Sequence, residues 1–216
     1  MKDAGFALGM ATGMRDYEVA VGPTKQRYFG KMLRALPARP DAVVVELGMG
    51  SFPNSPFYAE ARYPLDLIGV DPNDSMATFA MAAAAPLKAT GSTVRTTHGV
   101  GEALPLATGS VDAVVCTLTL CSVLAPERVL AEVRRVLRPG GQFLFVEHVL
   151  SETDPRFAEV QKALTPAQVK RADGCHLDRR TLETIRAAGF SKLESEYFEL
   201  QDFSYLNPTV AGIAIA

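Results

Sequence analysis

Four apolar runs in this chain stop at residues suited to holding a ligand. Val43-Val-Val runs into Glu46-Leu-Gly48-Met-Gly50, "DLIGV" into Asp71-Pro72, and "STVRTT" into a loop containing Gly101-Glu102-Ala-Leu-Pro; a fourth run ends in Cys116-Thr117-Leu118. Glycine lets backbone approach a ligand closely and permits turns closed to other residues. The acidic side chains Glu46, Asp71 and Glu102 accept hydrogen bonds. The first turn resembles a phosphate cradle only in part, because Phe52 and Pro53 stand where a dinucleotide-binding turn has further glycine. Two histidines add acid–base chemistry near neutral pH, His148 at the end of "FVEH" and His176 in "DGCH", where Asp173 is a third candidate.

These residues need a scaffold that brings strand ends together. The apolar runs are 43–47, 66–70, 92–97, 111–116 and 142–149, with helical patterns between them at 54–62, 74–89 and 126–137. Such alternation predicts a doubly wound parallel sheet with helices on both faces, whose ligands lie at the carboxyl ends of the strands. A helix over 14–36 precedes the sheet, with Pro23 expected to start a helix within it, and Asn54 is a candidate cap for the helix after the glycine turn. "RPGG" at 138–141 ends the helix over 126–137. Residues 151–178 are polar and interrupted, and read as substrate-facing. A last helix, 179–188, stops at Gly189, and two strands, 192–200 and 209–215, close the chain as an antiparallel hairpin. The expectation is one domain over 1–216: a helical segment (1–40), a ligand-binding core (41–150), and a substrate-facing segment with the hairpin (151–216). Its sheet has seven strands.

A chain of 216 residues can bury a substantial core. Its net charge of −2, with no Lys or Arg run longer than two, argues against a nucleic-acid partner. No apolar run is long enough to span a bilayer, and the N-terminus lacks a secretory layout. Cys116, Cys121 and Cys175 have neither paired nor metal-type spacing and read as reduced thiols, the first two as small core residues. The expected location is intracellular and soluble: the cytoplasm, or an organelle if a targeting segment is missing. Oligomeric state is not legible.

Together "ELGMG", "GVDPN", "GEALPL", "GSVDAVVCTLTLCSV" and "EVRRVLRPGGQFLFVEHV" resemble class I S-adenosylmethionine-dependent methyltransferases over about residues 43–150. "CTLTLCSV", "FVEHV", "DGCHLDRRTLETIRAAGFSKLE" and "GMRDYE" narrow the resemblance to the methyltransferase-like family that contains the small-molecule thiol S-methyltransferases. The resemblance implies a Rossmann-like sheet, S-adenosyl-L-methionine as methyl donor, S-adenosyl-L-homocysteine as product, and no metal. It gives the first turn a ligand with a carboxylate, an ammonium and a sulfonium but no phosphate. Glu46, Gly48 and Gly50 would hold its amino-acid end and Asp71, beside Pro72, its ribose hydroxyls. Gly101 and Glu102 would meet adenine, and Thr117 and Leu118 would lie by the methionine part. The sequence departs from the family at Phe52, where a third glycine is usual.

"CTLTLCSV" is apolar and lacks the Asn-Pro-Pro-Tyr type of motif that holds a nucleobase amine, which favours a small, soft acceptor such as a thiol. An ordinary thiol has a pKa of about 8.5, so a base at His148, Asp173 or His176 would help, though alignment alone could suffice. O- or N-methylation of a small metabolite, arsenite methylation, and a non-catalytic S-adenosylmethionine-binding module remain as alternatives. A nicotinamide-dependent dehydrogenase is disfavoured by the incomplete phosphate fingerprint and the lack of a Tyr-x-x-x-Lys pair. Blander readings also stand: a plain tight turn at Gly48 and Gly50, a surface role for Glu102, a structural hydrogen bond at His148.

Overall fold

The computed structural model describes residues 2–216. Seven strands form one sheet: β1 (Ala42–Leu47), β2 (Leu65–Asp71), β3 (Thr93–His98), β4 (Val111–Thr117), β5 (Leu137–His148), β6 (Lys192–Phe198) and β7 (Thr209–Ile215). The order is β3-β2-β1-β4-β5-β7-β6. The first five are parallel, and β7 runs antiparallel between β5 and β6. The order reverses between β1 and β4, which opens a crevice at their carboxyl ends.

Side-chain alternation assigns the two faces. Val44, Leu67, Ala113, Val115, Leu144 and Val146 join one core with Phe29, Met32 and Leu33 of α2 (Arg15–Ala35) and Ala80 of α4 (Met76–Ala83). Val45, Ile68, Val114, Cys116, Phe143 and Phe145 face the other way. They pack on Val129, Leu130, Val133 and Val136 of α5 (Pro126–Val136) and on Leu182 and Ile185 of α7 (Thr181–Ala187). On α5 these positions recur at three- and four-residue steps, which makes a single apolar stripe.

Several local expectations need correction. Residues 2–13 of the expected helical segment form a separate helix, α1 (Lys2–Gly13), ahead of the one expected over 14–36. Pro23 starts nothing and lies inside α2. The helix α3 is one turn, Ser55–Tyr58, and Asn54 makes no side-chain cap. The Ala-rich helix is α4 alone, because Pro86 breaks it and leaves Ala85–Thr90 as a 3₁₀ turn. The interrupted segment after β5 is mostly helix, α6 (Pro155–Arg171), capped by Asp154, whose carboxylate accepts from Arg156 N and Phe157 N. Pro166 lies within α6. Among the described residues, no helix is long and apolar enough to cross a membrane.

Candidate active site

The turn after β1 is built from left-handed backbone. Gly48 (φ 58°), Gly50 (φ 55°) and Phe52 (φ 63°) all adopt it. For glycine this costs nothing; for Phe it costs about 1–2 kcal/mol. Phe52 thus reproduces the conformation that the family's third glycine permits, and its fully buried ring, 5.7 Å from that of Tyr58, offsets the strain. Gly48 is required for a second reason: a Cβ there would lie 2.6 Å from Thr119 Cγ2 and nearer still to Oγ1. Thr119 Oγ1 donates within 3.2 Å of Leu47 O and Thr117 O, so the turns after β1 and β4 fit one another. A Cβ at Gly50 would meet only Gly48 O, at 3.8 Å.

Asp71 closes this structure at the end of β2. Its Oδ2 accepts from Gly50 N (2.9 Å) and its Oδ1 from Asn73 N (2.8 Å). Burial pushes its pKa up, and the two N–H donors oppose that rise. Pro72 is exposed beside it. A cleft of about 110 Å³ is lined by Met49, Gly50, Gly69, Asp71 and Asn73. Met49 and Gly50 also wall a larger cavity of about 410 Å³, with Gly48, Phe52, Thr117 and Leu118. Its remaining wall includes Met10, Met14, Arg15 and Glu18, which the sequence reading did not select. Met14, Arg15 and Glu18 belong to "GMRDYE", and the cavity gives that segment a place. Lys25, itself buried, donates to Glu18 Oε2 at 2.6 Å.

Not every expected ligand residue faces this cavity. Glu46 does not, because alternation along β1 turns it with Val44 toward α2 and α3. Its Oε2 accepts from the Tyr58 hydroxyl (2.6 Å) and its Oε1 from Asn54 Nδ2 (2.7 Å), which also donates to Thr117 Oγ1 (3.0 Å). Desolvation raises the Glu46 pKa from 4.5 to about 7, partly opposed by those hydrogen bonds. Glu46 and Asn54 therefore brace the glycine turn from behind, and Glu18 is the acidic group in the cavity wall. Glu102 accepts from Leu124 N (2.7 Å) and Ala125 N (3.1 Å), so it secures the start of α5. Gly101 sits against α5, where a Cβ would lie 3.1 Å from Val129.

The three proton-acceptor candidates also lie off the cavity wall. His148 is 2% exposed, and its Nε2 lies 3.2 Å from Cys175 Sγ. His176 Nδ1 stands 3.5 Å from Asp178 Oδ1, and its N–H donates to Cys121 O. Asp173, exposed, turns the chain with φ 48° and lines a separate cavity with Phe6, Gly9 and Met10. The three cysteines are free and buried, as their reading as reduced thiols expects, but the fold brings two of them together with a histidine, which their spacing does not show. Ligand atoms of Cys121, His148 and Cys175 lie within 4.8 Å of one another. Glu147, an acid within the apolar run "FVEHV", is a further fully buried group that the sequence reading does not select. Its Oε1 accepts from Thr119 N, Leu120 N and the Cys116 thiol, and desolvation raises its pKa.

A family profile described as a methyltransferase domain matches residues 45–145. Thiol S-methyltransferase TMT1A of Homo sapiens is 36% identical over 174 residues, covering 80% of this chain and 70% of that protein. Among solved structures, the methyltransferase in complex with the Haloferax volcanii Trm112 activator superposes with a TM-score of 0.68 at 20% identity, over 100% of this chain and 97% of that one. Phosphoethanolamine N-methyltransferase 2 of Haemonchus contortus, solved with S-adenosylhomocysteine, gives a TM-score of 0.66 at 16% identity, over 95% of this chain and 57% of that one.

Proposed function

The chain belongs to the S-adenosylmethionine-dependent methyltransferases, in the family that contains the thiol S-methyltransferases, and from that premise we propose that it transfers the methyl group to a small-molecule thiol. The observation that carries this reading is the wall of the larger cavity. Met10, Met14, Phe79 and Leu118 make it apolar beside the glycine turn, with Arg15 and Glu18 as its charged members. Such a wall suits a soft, lipophilic nucleophile better than a polar amine with several hydrogen bonds to satisfy.

The donor's two ends find matching residues. Gly48 and Gly50 carry no side chain, so the backbone at these two positions can approach the donor closely. Asp71, at the carboxyl end of β2 beside the glycine turn, presents a carboxylate for ribose hydroxyls, and Glu18 an acid for the ammonium. Thr117 and Leu118 flank the methionine part. When bound, S-adenosylmethionine supplies an electrophilic methyl on a sulfonium for in-line displacement and departs as S-adenosylhomocysteine. The chain's own contribution is alignment of the acceptor sulfur and exclusion of water by the methionine-rich wall. Arg15 adds positive potential that favours the acceptor as thiolate. With His148, Asp173 and His176 outside the wall, alignment and Arg15 replace a dedicated base.

The test is methyl transfer from labelled S-adenosylmethionine to a panel of thiols, phenols, amines and arsenite. Transfer confined to thiols supports the reading; preference for a phenol or amine overturns it. Arg15→Gln should slow transfer to ordinary thiols more than to thiols already ionised at the assay pH, and equal losses would remove Arg15 from this role.

A further inference from the structure

We propose that Cys121, His148 and Cys175 form a binding site for one thiophilic divalent metal ion of the zinc class. The three lie in different parts of the fold. Cys121 is in the turn after β4, His148 is the last residue of β5, and Cys175 comes after α6. Their ligand atoms lie within 4.8 Å of one another, with His148 Nε2 at 3.2 Å from Cys175 Sγ. Zinc–sulfur and zinc–nitrogen bonds of about 2.3 and 2.0 Å in a tetrahedron place ligand atoms about 3.5–3.8 Å apart. Small side-chain rotations reach that spacing.

The surroundings hold the set in place. The N–H of His176 donates to Cys121 O at 2.8 Å, which ties the two cysteine segments together. Gly174, at φ 83°, packs so closely that a Cβ would lie 3.0 Å from Ser122 O. Cys121, Cys175 and Leu177 form a small apolar cluster with Ala172 and Leu206 against it. At the end of β5, His148 Nδ1 is buried without a hydrogen-bond partner, and so is Glu147 Oε2. Such unpartnered buried groups are unusual for a finished core.

Charge favours a dication. Two thiolates and a neutral imidazole carry −2, which a divalent ion cancels. The ligand set also selects among thiophilic species. Trivalent arsenic takes three thiolates, but Cys116, the remaining cysteine, donates its thiol to Glu147 instead. Two sulfurs and one imidazole match zinc, with a fourth position for water or an exogenous ligand.

The test uses the full chain, reduced and stripped of metal by a chelator, titrated with Co(II). One equivalent should give a sulfur-to-cobalt charge-transfer band and the strong visible bands of tetrahedral Co(II), displaced by Zn(II). Cys121→Ser and Cys175→Ser should each weaken binding on the order of a hundredfold or more and lose charge-transfer intensity. His148→Gln should weaken binding while keeping most of that intensity, and Cys116→Ser should keep both band and affinity. Circular dichroism and S-adenosylmethionine binding check that each variant is folded. A folded wild type without a band at one equivalent overturns the proposal. So does a band that survives in the Cys121→Ser/Cys175→Ser double variant.

Discussion

Replacing Gly48 by Ala tests the fit between the turns after β1 and β4. Two costs add. At φ 58° an L-residue loses about 1–2 kcal/mol relative to glycine. The new Cβ would also lie 2.6 Å from Thr119 Cγ2 and 3.0 Å from its Cβ, so Thr119 must move. Its hydroxyl would then give up the one proton that it shares between Leu47 O and Thr117 O, at about 0.5–1.5 kcal/mol. The expected loss of stability is about 2–4 kcal/mol, read by urea denaturation with the linear extrapolation, and calorimetry should show S-adenosylmethionine binding weakened as well. Gly50→Ala is the internal control. It carries the same dihedral cost, but its Cβ would meet only Gly48 O at 3.8 Å, so the loss should be about 1–2 kcal/mol. A cycle with Thr119→Gly separates the terms. Removing Thr119 should relieve the clash of Gly48→Ala and leave the dihedral cost, a coupling of about 1–3 kcal/mol. The same cycle with Gly50→Ala should be additive. Additivity at Gly48, or equal losses at the two glycines, would refute the claim that Thr119 dictates glycine there.

Asp71→Ala should lower S-adenosylmethionine affinity about ten- to a hundredfold by calorimetry, since a charged acceptor is lost and Gly50 N and Asn73 N lose their partner; unchanged affinity in a folded variant would take Asp71 out of the site. Phe52→Gly should relieve left-handed strain yet destabilise the fold by about 2–4 kcal/mol, because a fully buried ring contributes more than the strain costs; a variant as stable as wild type would show that the ring merely occupies a glycine position. Glu46 has a folded pKa raised from 4.5 to about 7, so the folded state binds the extra proton, and this contribution is full below pH 4.5 and lost as pH rises through 7. The displacement corresponds to about 3 kcal/mol, and Glu46→Gln, which keeps partners for Tyr58 and Asn54, should flatten the fall in stability over that window; an unaltered pH profile would contradict the assignment. Glu102→Ala should cost about 1–2 kcal/mol through the freed Leu124 and Ala125 N–H groups while barely changing cofactor affinity; a tenfold loss of affinity would restore Glu102 to the ligand site.

Sequence alone determined whatever depends on local pattern. Apolar runs, glycine turns and the order of strands and helices identified the doubly wound sheet, the antiparallel closing strands, and the strand ends carrying Gly48, Gly50, Asp71, Thr117 and Leu118, because these features recur with fixed spacing along the chain. Tertiary structure decided whatever depends on which way a side chain turns and what it meets. Alternation along β1 carries Glu46 behind the turn, where Tyr58 and Asn54 hold it. Glu102 is drawn to the open N–H groups at the start of α5. Met10, Met14 and Glu18 reach the cavity only because α1 and α2 fold over the sheet, a packing that no short-range spacing encodes. Cys121, His148 and Cys175 show the same limit: 27 residues separate the histidine from the second cysteine, and only the convergence of two turns and a strand end makes them neighbours.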